Sequence, residues 1–200
     1  MKLLVLIPTK DKVNEKTLES LNNQSFKDFS VLINVMEPIQ LNEDKEKNRY
    51  LNIVRNRNDL REKALKHNVD YYLWVDSDII LPKNAIQELI LQDRDIIGGW
   101  YKTHTGNEYV AGRWIANNTS VLYKTTQPSL IPIDFMGLGC CLMKRKVLET
   151  IEFDAGIDLY QKDERGNIFF NGDCVQFCNA AYDNGFKLWM NGDVVCEHGE

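Results

Sequence analysis

Trp74-Val75-Asp76-Ser77-Asp78 closes an apolar run that begins at Val69 and leads into Ile79-Ile80-Leu81-Pro82. It places two carboxylates where a buried strand should break into a loop. In open α/β sheets ligands sit beyond the carboxyl ends of the strands, and two acidic groups one residue apart can share a divalent cation with the phosphates of a nucleotide. Asp-Ser-Asp is also good turn chemistry, since such side chains bond their own backbone. The flanking sequence has to decide between the two.

Toward the N-terminus, Leu3-Leu4-Val5-Leu6-Ile7 is wholly apolar and ends at Pro8-Thr9, as expected of a strand covered on both faces. A helix follows, with Asn14 as N-cap and Val13 and Leu18 placed as a hydrophobic staple. Phe29 to Val35 is a second strand ending at Glu37-Pro38, the mixed-charge stretch Asn42 to Arg61 reads as a solvated loop and helix face, and Asp59 to His67 carries helical spacing. Pro82 to Gln92 is a further helix. Strands alternating with helices imply right-handed crossovers and a Rossmann-like sheet.

Beyond residue 95 the pattern turns mixed. Asp95 to Tyr101, Tyr109 to Ile115 and Val121 to Lys124 read as shorter strands, Gly139 to Lys144 as a buried strand and Arg145 to Ile151 as a short helix. Asp173 to Asn184 reads as a longer helix closed by Gly185, and Phe186 to Met190 and Val194 to Glu197 as the last strands.

A chain of 200 residues suits one well-buried core. Its net charge of −5 argues against nucleic-acid binding, which needs a basic stripe. No run approaches the roughly 18 apolar residues of a membrane span, and the Leu3 run is cut off by Pro8 and Lys10-Asp11-Lys12, which speaks against a signal peptide. Five cysteines without zinc or disulfide-scaffold spacing imply a reducing, cytoplasmic setting. Cys174 and Cys178 read as small buried hydrophobes.

Four patterns occur in a telling order: Leu6-Ile7-Pro8-Thr9-Lys10; Arg57-Asn58 before Tyr71-Tyr72-Leu73-Trp74-Val75-Asp76-Ser77-Asp78; Ile133-Asp134-Phe135-Met136-Gly137-Leu138-Gly139-Cys140-Cys141; and Phe170-Asn171-Gly172-Asp173-Cys174, with a late His198. In these the chain resembles GT-A fold glycosyltransferases of the family 2 type, in a compact form that suggests a minimal microbial or viral member, in the host cytoplasm if viral. The resemblance implies one α/β GT-A domain over residues 1–200. Its mixed, mostly parallel central sheet is flanked by helices, with a smaller second sheet. Residues 1–94 would form a nucleotide-binding half and 95–200 an acceptor-binding half.

The resemblance also implies site roles. Pro8, Thr9, Glu37, Arg57 and Asn58 would meet the nucleotide, Asp78 the metal, Asp76 the ribose or the metal, and His198 the metal or diphosphate. The cation would be manganese or magnesium, the donor a nucleotide-diphosphate sugar, and the acceptor a carbohydrate, protein or lipid-linked hydroxyl. Asp173, at a helix N-terminus where the macrodipole stabilises a carboxylate, is the candidate general base of an inverting transfer. Gly172 departs from the glutamate common there. Asp134, Asp154 and Asp158 compete for that role; Gly137, Leu138 and Gly139 would face the acceptor; and Trp100, Tyr101 and Trp114 could offer flat faces to a sugar, although strand aromatics are more often core. His67 and His104 read as surface or packing residues. Two other classes remain open at this point: a sugar-phosphate nucleotidyltransferase, against which stands the lack of a Gly-rich phosphate loop, and a nucleotide-sugar-binding module without catalysis.

Overall fold

The apolar runs at Leu3 and Tyr71 become neighbouring strands of one seven-stranded sheet. The computed structural model describes residues 1–103, 106–115, 119–154, 160–162, 168–170 and 172–199. Strands are β1 (Leu3–Thr9), β2 (Phe29–Val35), β3 (Tyr71–Val75), β4 (Ile79–Ile80), β5 (Ile96–Trp100), β6 (Ala111–Ile115) and β7 (Thr119–Leu122), followed by β8 (Ile131–Ile133), β9 (Phe135–Met136), β10 (Cys140–Lys144), β11 (Tyr160–Lys162), β12 (Ile168–Phe170), β13 (Leu188–Val195) and β14 (Glu197–His198). Helices are α1 (Glu15–Asn22), α2 (Lys45–Leu65), α3 (Ala85–Leu91), α4 (Arg145–Thr150) and α5 (Asp173–Asp183).

The large sheet runs β2-β1-β3-β10-β5-β13-β8. β1 pairs in parallel with β2 and β3, and β5 with β13, while β10 and β8 run against their neighbours, so the sheet is mixed but mostly parallel in strand direction. β6, β7 and β9 form a smaller three-stranded sheet.

Because side chains alternate across a strand, β1 and β3 feed two cores. Leu4, Leu6, Tyr72 and Trp74 pack with Leu60 and Ala64 of α2 and Phe177 of α5. Leu3, Val5, Ile7, Leu73 and Val75 pack with Leu21 of α1 and Ala85, Ile86 and Leu89 of α3. Covering both faces is why these strands carry unbroken apolar runs. The α1 signals hold, with Asn14 Oδ1 accepting from the Lys16 amide at 2.9 Å.

α2 departs most from the sequence reading. It starts at Lys45, not near Asp59, and is capped by Asp44, whose Oδ1 accepts from the Glu46 and Lys47 amides at 2.9 Å each. Its buried residues include Asn56, Arg57 and Arg61, so polar groups occupy the inward stripe and mask the apolar period. The segments from Phe186 and Val194 are also not separate strands. β13 is one strand with a register shift between Asn191 and Val195. β8 and β9 are two short strands where the sequence reading assigned none.

Candidate functional site

Three strands of common direction bring chemistry to one edge of the sheet: Pro8-Thr9 ends β1, Asp76 follows β3, and Tyr101 follows β5. Antiparallel β10 brings Gly139 to the same edge. Here a cavity of about 840 Å³ opens, whose lining includes polar residues such as Thr9, Arg57, Asp76, Ser77, Asp78 and His198, with Pro8 among them, and apolar residues such as Val110, Trp114, Leu122, Phe135, Met136 and Val175.

The 76–78 loop is tied from several directions. The Asp76 amide donates to the Gly139 carbonyl at 3.1 Å, and the Ile79 amide returns to the Asp76 carbonyl at 3.1 Å. The Ser77 carbonyl accepts from the Asn14 amide at 2.9 Å and from the Thr17 hydroxyl at 3.3 Å. The Asp78 carbonyl accepts from the Gly199 amide at 2.6 Å. With its carbonyls so occupied, the loop presents the two carboxylates rather than folding them back on the backbone.

Arg57 reaches this loop from α2 and is only 3% exposed. Its Nη2 lies 3.0 Å from Asp76 Oδ1 and its Nε 3.0 Å from Asp173 Oδ2, the latter an ion pair outside hydrogen-bond angles. The guanidinium sits 5.5 Å from the Trp74 ring centre and 5.8 Å from that of Phe153. Burial works against its charge, but the Asp76 and Asp173 carboxylates outweigh that, and its pKa is raised. Burial likewise pushes the Asp76 carboxyl up from its ordinary value, with Arg57 pulling the other way.

His198 arrives on β14, which pairs antiparallel with β4 and sets His198 opposite Ile79. Its Nδ1 lies 2.9 Å from the Lys102 carbonyl, which can only accept, so Nδ1 carries the proton. Nε2 is left facing Asp78 Oδ2 at 3.5 Å. An imidazole lone pair beside a carboxylate is a donor set for a divalent cation. Among the described residues no group of three or more His, Cys, Asp or Glu forms a complete metal site.

Several expected residues lie off the cavity wall. Asn58 spends both ends of its amide on the Phe153 backbone, at 2.9 Å each, and so holds α2 to the segment after α4. Glu37 is exposed and not on the wall, although its neighbours Met36 and Pro38 are. Trp100 is 0% exposed and packs edge-on against Tyr109 and Tyr123, so it offers no face to a sugar. Leu138 is fully buried in the core. Asp134 accepts from the Trp114 amide at 2.8 Å and joins the small sheet together. Asp173 is 4% exposed and is not on the wall, whereas its neighbours Cys174 and Val175 are. Asp154 is exposed and off the wall, as is His67. His104, Asp158 and Asn171 lie outside the described residues.

The site also contains residues the sequence did not single out for these tasks. Tyr101 lines the cavity, its hydroxyl accepts from the Gly139 amide at 2.8 Å, and its ring stands edge-on to His198 at 5.9 Å. Burial, reinforced by Asp76, pushes its phenol well above the ordinary value, so it acts as a neutral clamp. Asn56 Nδ2 donates to the Thr9 carbonyl at 2.9 Å and fixes the end of β1. Polar residues at inward helix positions were the available signal for Asn56 and Arg57. Cys174 and Cys178 form no disulfide. Cys178 is buried as expected, whereas Cys174 is half-buried and lines the cavity, its thiol raised well above the usual value by burial and the neighbouring Asp173.

Gly139 is required by close approach. A Cβ there would stand 2.8 Å from both Asp76 Oδ2 and the Tyr101 hydroxyl. Gly139→Ala is expected to destabilise the fold by about 1–3 kcal/mol, the range for overpacking, and to displace Asp76. Thermal unfolding and nucleotide titration read the two effects.

A mixed, mostly parallel sheet with an acidic loop after its third strand and a cleft at that edge is the architecture of the GT-A glycosyltransferases. Solved structures share it. A197 from STIV superposes with a TM-score of 0.69 at 16% identity, covering 100% of this chain and 86% of that one. GalNAc-T7 with UDP, GalNAc and Mn2+ gives 0.59 at 12%, covering 100% and 44%. S. aureus TarS 1-349 in complex with UDP-GlcNAc gives 0.57 at 14%, covering 100% and 59%. The chain therefore spans about half the length of the latter two. At these identities the likeness is one of fold. No curated protein sequence matches. The Anp1 family model matches residues 5–147, and the chain belongs to the Anp1 family, a family 2-like glycosyltransferase family. Among the described residues no helix is long and apolar enough to cross a membrane.

Proposed function

We propose that this protein transfers a sugar from a nucleotide-diphosphate sugar to an acceptor hydroxyl, with a divalent cation at Asp78 and His198. The observation that carries the proposal is the pairing of those two side chains, 3.5 Å apart with the imidazole proton committed to Lys102, at the edge where Pro8 and Thr9 line the same cavity. Two protein ligands fit a cation that completes its shell with substrate phosphates and water. A bound cation would neutralise charge accumulating on the departing diphosphate. UDP and Mn2+ are bound to GalNAc-T7 and UDP-GlcNAc to TarS, which supports the same donor class here.

The chain's own residues would divide the work as follows. The cavity lining at Pro8 and Thr9, kept in place by Asn56, receives the nucleoside. Asp76, held by Arg57, faces the ribose or the cation's water shell. The division into a nucleotide half (1–94) and an acceptor half (95–200) is part of the proposal, with one refinement: Tyr101 and His198 come from the second half but serve the diphosphate end. The apolar wall from Val110 to Val175 receives the acceptor. Asp173, which is off the wall, would take the proton from the acceptor hydroxyl through one bridging water while that oxygen attacks the anomeric carbon and the bond to the diphosphate breaks, its electron pair leaving with the diphosphate. Arg57 orients the Asp173 carboxylate for this role.

Asp173→Asn is expected to keep donor affinity and lose turnover by about 10²–10⁴-fold, the usual contribution of a positioned base. Calorimetric donor binding alongside steady-state rates separates the two. Full turnover in that variant would remove Asp173 from the role. Release of pyrophosphate in place of a nucleoside diphosphate would instead identify a nucleotidyltransferase, and metal-dependent donor binding with no turnover a binding module.

A further inference from the structure

We propose that β2 is a self-complementary edge through which two copies of this chain pair antiparallel about a two-fold axis, extending the seven-stranded sheet into a continuous sheet of twice that width. β2 is the terminal strand on one side of the sheet, with β1 as its neighbour. The Met36 amide donates inward to the Thr9 carbonyl. By the alternation of a strand, even-numbered residues of β2 therefore bond to β1. Val31, Ile33 and Val35 turn their backbone groups to the open edge.

The same three residues share one face, and that face is uncovered. Val31 and Ile33 are each 41% exposed and Val35 60%. α2 covers the opposite face, where Asn34 is buried against Asn56. Exposed edges are ordinarily blunted by shortness, proline, lysine or a bulge. The opposite edge of this sheet is blunted in that way, since β8 has only 3 residues and carries Pro132 at its centre. β2 has 7 residues, Phe29-Ser30-Val31-Leu32-Ile33-Asn34-Val35, with no proline, no charge and an unbroken register against β1.

Charge selects both the occupant and the register. An antiparallel pair centred on Leu32 sets Val31 against Ile33 of the second copy, so outward backbone groups meet, and Phe29 against Val35. Continued past the strand ends, it sets exposed Lys27 against exposed Glu37 of the second copy, at both ends by symmetry. Opposite charges directly across a strand pair stabilise it, and like charges destabilise it. A sequence complementary to itself in this manner fits an isologous contact.

Sedimentation across a wide dilution series tests this independently of any catalytic activity. The native chain is expected to move from one-chain to two-chain mass as concentration rises. Ile33→Lys is expected to stay at one-chain mass throughout, with its far-UV circular dichroism unchanged. Lys27→Glu is expected to weaken association, and Lys27→Glu with Glu37→Lys to restore it, which keeps the test decisive should Ile33→Lys misfold. One-chain mass for the native protein at every concentration overturns the proposal. So does a dimer unaffected by Lys27→Glu, or association running past two copies.

Discussion

Asp78→Ala is expected to abolish metal-dependent binding of a nucleoside diphosphate and to lower sugar transfer by on the order of a thousandfold or more, while the protein stays folded. The size follows from several kcal/mol of charge stabilisation at the leaving diphosphate, each ~1.4 kcal/mol being tenfold in rate. Folding should survive because the loop is held by its backbone. Asp78 anchors the segment through its carbonyl, which accepts from the Gly199 amide at 2.6 Å, and alanine keeps that carbonyl. The Asp78 side chain meets His198 at 3.5 Å and is 38% exposed, so its loss leaves no buried orphan. Calorimetric titration of nucleoside diphosphate with and without manganese, beside a thermal melt, reads both halves of the expectation. Unchanged metal-dependent affinity in the variant would contradict the cation assignment.

Arg57→Leu is expected to act in the opposite way, on stability first. Arg57 is the shared counter-charge of Asp76 and Asp173 at 3.0 Å to each, and its side chain is 4% exposed. Removing one partner of a buried ion pair typically costs about 3–5 kcal/mol, because the remaining charge is left buried and uncompensated. Here Asp173 is the carboxylate left buried, while Asp76, 35% exposed, keeps part of its hydration. Chemical denaturation should therefore show a loss of that order, with lost packing against Trp74 and Phe153 adding to it. Adding Asp76→Asn and Asp173→Asn to Arg57→Leu should recover part of the loss, since neutral amides need no counter-ion. A loss below about 1 kcal/mol, the range of an exposed pair, would contradict the buried bridge.

These two substitutions mark what was legible in the sequence. Strands covered on both faces announce themselves by composition, so β1, β3 and β10 and their order could be read from Leu3-Leu4-Val5-Leu6-Ile7, Tyr71 to Val75 and Cys140 to Lys144. The first half of α2 could not, because the residues it turns inward are polar. Asn56 holds the Thr9 carbonyl and Arg57 holds two carboxylates, and a hydrophobic period cannot register either. Pro8, Thr9, Asp76 and Asp78 lie at or just after strand ends, and all four line the cavity. Asp134, Glu37 and, on α2, Asn58 do not line it: Asp134 and Asn58 bond in directions set by tertiary contacts, and Glu37 is exposed. Gly137 and Gly139 read as making room for a sugar, yet what a Cβ at Gly139 would strike is Asp76 and Tyr101. His198 reaches the site only because β14 pairs with β4, a pairing across 119 positions from Ile79 to His198 that no local pattern encodes.

The proposed reaction consumes a nucleotide-diphosphate sugar in the cavity and releases the nucleoside diphosphate as the sugar moves to a hydroxyl. Phosphorus NMR of the protein with manganese, a panel of nucleotide sugars and a mixture of carbohydrate, peptide and lipid-linked acceptors tests it most directly. A nucleoside diphosphate signal is expected to grow with time, to depend on the cation and to vanish in Asp78→Ala. Pyrophosphate as the released product, or nucleoside diphosphate released equally by Asp78→Ala, would contradict it.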